Sequence, residues 1–291
     1  MKKFISNKYI LFGLGIALFI LLWWVISLFF DINKMVVPSP LDTTVRMFEL
    51  LRDPYTFKCL GITLLRVLIG FCISFAAAFI LGILAGNSKI FAGLLKPTMV
   101  VIKSIPTATV VFLFVIMVSP KDAPILVTTL ISFPILFEAV TSGIANVDKE
   151  TLEASKVDGA GYLKRNIFIK IPLSLPYIGV GVLASFSLSF KVEIMAEVIT
   201  GNTNAGLGNV IRATQGADPT DMVTIFGYSF IAIILVLIIS ITADFIKDKL
   251  KKVSNPWYKE KSTSFEVLFF KSGGSGRERA GDTQIFSLML Y

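Results

Sequence analysis

The residues with chemistry to offer are charges set in or against long apolar runs. Lys103 precedes Ile105-Pro106, Glu138 follows Phe133-Pro134, and Glu193 and Glu197 stand just before a stretch from Gly201 to Gly208. A charge at the centre of a bilayer costs about 2.5 to 3.5 kcal/mol on insertion scales, so such groups must face protein or water. Two readings stand for Lys103 and Glu138. In one they form a mutual or pathway-facing ion pair, each beside a proline that frees backbone groups; in the other they lie near the cytoplasmic ends of adjacent spans and stabilise the bundle. Glu193 and Glu197, at i and i+4, share one helical face. They suit an outer gate together with Gly206 and Gly208, although solvation at the membrane surface is the simpler expectation. Arg66 and Lys191 are expected to snorkel to the outer interface.

Other chemistry is excluded. The 291 residues contain no His, which removes Ser-His-Asp and Cys-His nucleophilic sites, His-ligated zinc and the usual proton switch near neutral pH. No metal site is expected. Cys59 and Cys72 fall on one expected helix, where 13 residues of separation mean roughly 20 Å, too far for a disulfide; both read as small buried hydrophobes. No Gly-x-x-x-x-Gly-Lys-Ser/Thr loop is present to cradle ATP phosphates. The net charge of +8 does not point to nucleic acid, because the basic residues flank apolar spans instead of forming an aromatic-interleaved patch.

The elements that hold these charges are membrane spans. Hydrophobic residues make up 54% of the chain and charged residues 16%, against about 25% charged in a soluble domain. Tyr9 to Phe30 is 22 residues without a charge, about 33 Å as a helix, enough for a hydrocarbon core of roughly 30 Å. Its Trp23, Trp24 and Phe29-Phe30 argue for a retained anchor over a cleaved signal. Further spans are expected at about Leu65 to Gly86, Thr98 to Val118, Pro124 to Asn146, Leu173 to Phe190 and Val223 to Ala243, six in all. With the N-terminus inside, inner segments hold 14 Lys and Arg and outer segments 7, so both termini are expected in the cytoplasm. The outer stretch 31–60 contains Pro38-Ser39-Pro40 and then an amphipathic pattern with Val45, Phe48 and Leu51 as its apolar positions. Ser264 to Phe270 reads somewhat like a protease-cleavage tag and Ser272 to Gly276 like a flexible linker. Residues 253–291 are therefore either an appended end or an ordinary cytoplasmic tail.

The inner stretch Val147 to Pro172 carries five basic and four acidic side chains in 26 residues and is where a protein partner is expected. Asp148 suits an N-cap, Glu150 and Glu153 favour the first turns, and Glu153 can pair with Lys156. Asp158-Gly159-Ala160-Gly161 then allows a bend, and Tyr162 to Ile171 a second helix, with Pro172 marking the return to the membrane.

At these residues the sequence resembles the permease subunits of binding-protein-dependent ABC importers. Their inner-loop signature is Glu-Ala-Ala, three residues, Gly, nine residues, Ile, one residue, Leu-Pro. Glu153-Ala154-Ser155, Gly159 and Ile169-Lys170-Ile171-Pro172 meet that spacing, with Ser155 for the second Ala and Ile171 for Leu. Pro38-Ser39-Pro40, Thr63 to Gly70, Lys96-Pro97 with Ile105-Pro106, and Gly206-Leu207-Gly208 after Ala196-Glu197 are similar to the nitrate, sulfonate and taurine permeases. The likeness covers about residues 36–252. One departure, Ser119-Pro120-Lys121-Asp122-Ala123-Pro124 where relatives often carry a Gly-rich turn, bears on substrate more than on fold.

The resemblance implies an all-α integral membrane protein of the type I ABC importer permease fold, with six transmembrane helices. Residues 1–30 would be a cytoplasmic segment and first span, 31–60 an outer amphipathic segment, 61–252 the permease core with its coupling loop 147–172, and 253–291 a tail. Glu153, Ala154, Ser155, Gly159, Ala160, Gly161 and Pro172 would form the coupling element against a separate ATP-binding subunit, present in two copies and carrying the ATP and Mg²⁺, with no cofactor in this chain. Lys103 and Glu138 are candidates for the translocation pathway. Glu193, Glu197, Gly206 and Gly208 are candidates for the outer gate or for contact with an extracytoplasmic substrate-binding protein. A second permease copy, most simply a homodimer, would complete the pathway in a bacterial cell membrane, surrounded by lipid. The chain would be no enzyme. An ion-coupled secondary transporter and a non-transporting membrane scaffold are the alternatives; the first would place several acids at mid-bilayer, where only Glu138 qualifies.

Overall fold

Side-chain caps start three of the helices in the computed structural model, which describes residues 8–29, 37–148, 151–153, 155, 161–201 and 205–253. After α1 (Lys8–Phe29), Ser39 Oγ accepts Asp42 N–H at 3.0 Å and Pro40 takes the first helical position of α2 (Pro40–Leu50). Asp53 repeats the device for α3 (Pro54–Asn87), accepting Tyr55 N–H at 2.9 Å. Ser88 caps α4 (Lys89–Ser104) through Phe91 N–H at 3.3 Å. There follow α5 (Thr107–Met117), α6 (Ala123–Ala145), α7 (Tyr162–Arg165), α8 (Ile171–Thr200), α9 (Leu207–Ala217) and α10 (Met222–Val253). All regular elements among the described residues are helical. One compact unit reaches Lys247. Beyond it, the described residues 248–253 are the closing turns of α10.

The membrane-crossing elements differ from expectation in three ways. First, α3 has 34 residues, about 51 Å, so the expected second span is the C-terminal part of a helix that begins at Pro54. Second, Thr98 to Val118 is not one span. Ile105 is extended, as a residue before proline prefers, and Pro106 has no N–H to continue the ladder, so α4 and α5 meet at 93°. Third, the number of crossings rests on two elements: among the described residues four helices are long and apolar enough, the bent α4–α5 pair makes five, and α1 contributes a shorter apolar stretch, Gly13–Phe29.

Helices α3, α6 and α8 form the centre. The faces of α3 and α6 meet where Gly82 and Gly86 leave room: a Cβ on either would lie within 2.7 Å of Val140 or Ile144. Gly181 admits Ala139 in the same way between α8 and α6, whereas Gly93 faces open space. Val110 and Val111 of α5 pack with Val127 of α6 and Val192 and Ala196 of α8. A second cluster joins α2, α9 and α10 through Met47, Leu50, Leu207, Tyr228 and Ile231.

Helix α2 is two-faced, and one side of it packs against the rest of the chain. Thr43, Met47 and Leu50 are buried, while Val45 and Phe48 are 53% and 58% exposed. Cys59 is buried but Cys72 is exposed, and both are free thiols, so only one matches the reading as a buried hydrophobe.

Candidate functional site

Along α8 a polar stripe runs at every fourth residue: Ser185, Ser189, Glu193 and Glu197 are all completely buried. Helical periodicity puts them on one face, and that face meets α6 and α3. Ser189 Oγ lies 2.6 Å from Ser132 Oγ, and Thr128 Oγ1 donates to Glu193 Oε2 at 2.7 Å. Glu193 Oε1 has no partner among the described residues. Solvation at the membrane surface, the simpler expectation for both acids, is not what the structure holds.

Glu197 is the better satisfied. Arg66 Nη1 donates to its Oε1 at 2.6 Å, Thr63 Oγ1 sits 2.9 Å from Oε2, and Gly208 N–H donates to Oε2 at 2.9 Å. Thr63 also accepts Leu207 N–H at 2.8 Å, and Arg66 reaches Ala205 O at 3.4 Å. Arg66 is therefore buried in an ion pair and does not snorkel outward. Two charges taken out of water recover their desolvation only when geometry and further hydrogen bonds are good, and here a guanidinium, a hydroxyl and a backbone amide converge on one carboxylate. The glycines beside it serve close approach. A Cβ on Gly206 would meet Glu197 Oε1 at 2.5 Å, and one on Gly208 would meet Ile194 O at 2.4 Å. Gly201 ends α8 in the left-handed region, φ 58°, its N–H donating to Glu197 O at 3.1 Å. The assembly is a clasp that fixes the start of α9 to α3 and α8. It contains a carboxylate and its donors but no nucleophile with a base.

A second pair lies at the broken helix. Lys103, in the last turn of α4, places Nζ 2.5 Å from Glu138 Oε2 in α6. The side chains are 41% and 54% exposed, so the pair links the α4 arm to the core beside the 93° turn while remaining open to its surroundings.

In the stretch 147–172 a helical turn starts where Asp148 suggested: Leu152 N–H donates to Asp148 O at 3.3 Å, and Thr151 Oγ1 to Asp148 Oδ2 at 3.3 Å. Glu153 is exposed, and Ser155 is buried with its hydroxyl on Leu152 O at 2.7 Å. Ala154, Gly159 and Ala160 lie outside the described residues. Gly161 is exposed and extended ahead of α7. Between α7 and α8, Asn166–Lys170 forms a π-helical turn in which Ile171 N–H donates to Asn166 O. The wide turn falls just before Pro172, whose ring disfavours a regular bond to the preceding turn. Lys170 Nζ donates to Asn87 Oδ1 at 2.5 Å, tying the loop's exit to the end of α3.

Sequence reasoning did not single out Thr63, Thr128, Ser132, Ser189 or Asn87. Periodicity offered the signal for most of them: Thr63 is one turn from Arg66, Ser189 one turn from Glu193, and Thr128 and Ser132 one turn apart on α6.

Residues 78–252 match the family model described as binding-protein-dependent transport system inner membrane component. The chain is 29% identical over 195 residues to a probable ABC transporter permease protein of Brucella melitensis, covering 67% of this chain and 78% of that one. To the nitrate import permease protein NrtB of Synechocystis it is 26% identical over 212 residues, covering 69% and 76%. Among solved structures, the MetNI methionine ABC transporter in an inward-facing conformation superposes with a TM-score of 0.58 at 16% identity, over 67% of this chain and 96% of that chain, a likeness of fold.

Proposed function

The chain belongs to the family of binding-protein-dependent transport system inner membrane components, and we propose that it forms the translocation pathway for a small organic or inorganic anion, such as a sulfonate or nitrate, driven by ATP hydrolysis on a separate subunit. It is a multi-pass permease of a type I ABC importer, in the nitrate, sulfonate and taurine branch. It is a transport subunit and works with ATPase and binding-protein partners. The proposal assigns two ATPase copies, a second copy of this permease, and cytoplasmic termini in a bacterial membrane.

The observation that carries this reading is the family match over residues 78–252, a range that includes the charged inner loop. Glu153 is held exposed on the turn that starts at Asp148, and the loop's exit is anchored to α3 by Lys170 and Asn87. Such an arrangement suits a lever: a push on the exposed loop reaches a long membrane helix through a hydrogen bond and a helical turn. In this reading the coupling element is Glu153, Ala154, Ser155, Gly159, Ala160, Gly161 and Pro172.

Lys103 and Glu138 serve as pathway groups at the α4–α5 break, where a cation partly open to its surroundings can meet an anion in transit. The clasp of Glu197 with Gly206 and Gly208, and Glu193 beneath it, acts as the outer gate. The test is co-purification of the ATPase with Glu153→Lys and Gly159→Asp variants that still reach the membrane. Loss of the ATPase is expected; full recovery of it with both variants would sink the coupling assignment. Identifying the ligand of the cognate binding protein decides the substrate.

A further inference from the structure

Both ends of the stretch 147–172 bear on the last turn of α3. At its entry, Ile144 near the end of α6 presses into the space left by Gly86, where an added Cβ would lie 2.6 Å from Ile144 Cβ. At its exit, Lys170 Nζ donates to Asn87 Oδ1 at 2.5 Å. Asn87 is the final residue of α3, and its Nδ2 donates to Ile83 O, one turn back, at 2.8 Å. Those two contacts fix the orientation of the amide, because a flipped amide would set its NH2 against the ammonium and its oxygen against a carbonyl. The helix end thus presents a preset acceptor to the incoming lysine.

The grip is one that can be released. Among the described residues no carboxylate pairs with Lys170, and the charge that acts on it is the like charge of Arg165. Its acceptor is a neutral amide and both residues are half-buried, so letting go strands no buried anion. Arg66 and Glu197 differ, since parting them leaves an uncompensated carboxylate away from water.

Asn87 also governs the helix that follows. One extended residue, Ser88, separates α3 from α4; its N–H donates to Leu84 O at 3.1 Å, and its Oγ accepts Phe91 N–H at 3.3 Å. No slack linker absorbs a movement between the two helices. α4 rests on the bundle by one face, with Met99 buried and Ile90, Leu94 and Val101 exposed. Its 16 residues make an arm of about 24 Å. A swing of about 5° at Ser88 would move Lys103 by roughly 2 Å, enough to part it from Glu138 Oε2, 2.5 Å away.

We propose that Asn87 is a positioning residue in the transport cycle: held by Lys170, it sets the angle at which α4 leaves α3 and so carries movement of the stretch 147–172 to Lys103. This rests on the reading of that stretch as the coupling element, and the experiment separates the two.

The whole transporter, with its ATPase and binding protein, is placed in lipid, and hydrogen exchange is compared with and without vanadate-trapped ATP. In the parent, trapping should change exchange in both 147–172 and 89–104, by about tenfold, an ordinary coupling free energy. In Asn87→Ala and in Lys170→Met the response of 147–172 should persist, while that of 89–104 falls within about twofold of none. Asn87→Asp keeps an acceptor for Lys170 and should keep the response of 89–104. A response of 89–104 like the parent's in both Asn87→Ala and Lys170→Met overturns the role of Asn87. Loss in Asn87→Asp equal to that in Asn87→Ala overturns the lysine grip. A parent whose stretch 147–172 ignores trapped ATP overturns the coupling reading itself.

Discussion

Arg66 Nη1 lies 2.6 Å from Glu197 Oε1 across 131 residues of sequence, and both side chains are buried. This ion pair links the N-terminal half of α3 to the end of α8, and through Thr63 and Gly208 it holds the start of α9. Removing one partner strands the other charge away from water.

Arg66→Leu and Glu197→Leu should therefore each destabilise the protein by about 3 to 5 kcal/mol. The double variant should lose clearly less than the sum, because neither charge is then orphaned. Unfolding by denaturant in detergent measures all three; strictly additive losses would show that the pair does not act as a unit.

Gly208→Ala should be poorly tolerated, since its Cβ would meet Ile194 O at 2.4 Å and Glu197 Cβ at 2.6 Å; a loss of about 1 to 3 kcal/mol is expected from overpacking. Gly216→Ala, in the same helix but with nothing within 4 Å, should stay within about 0.5 kcal/mol of the parent. Comparing thermal melting of the two variants separates close packing from a general need for glycine in α9.

The Lys103–Glu138 pair is partly exposed, so breaking it should cost no more than about 1 kcal/mol. Uptake responds differently if Lys103 meets the anion in transit: Lys103→Met should lower it about tenfold or more, equivalent to about 1.4 kcal/mol in the transport barrier. Initial uptake rates in vesicles containing the whole transporter provide the measurement. Unchanged uptake at normal expression removes Lys103 from the pathway.

The two faces of α2 can be told apart by truncation. Met47 belongs to the buried cluster with Leu50, Leu207 and Tyr228, and Met47→Ala should cost about 2 to 5 kcal/mol. Phe48→Ala, on the exposed face, should change folding stability by about 0.5 kcal/mol or less. A larger loss at Phe48 than at Met47 would mean that α2 packs by its other side.

Much of this molecule was legible in its linear order because the governing physics is local. Long uncharged runs require lipid, Asp148 starts a helical turn, and Glu153 to Pro172 keep a fixed spacing within one loop, whereas the break at Pro106 inside the expected span Thr98 to Val118 was not legible. Which side of α2 packs was not legible, since Val45 and Phe48 are as apolar as Met47 and Leu50, and only the positions of α9 and α10 choose between them. Nor could spacing show that Arg66 and Glu197 share one buried site, or that Lys170 reaches Asn87. The acids on α8 appeared from sequence as two charges on one helical face, most simply solvated; the fold instead gives each its own partners, a guanidinium, hydroxyl and amide for Glu197 and Thr128 for Glu193. Short-range preference thus determined the elements and the class of protein. Pairings between distant helices, 65 to 131 residues apart, were decided by tertiary packing, because burial strengthens a charge interaction only after those helices have excluded water from around it.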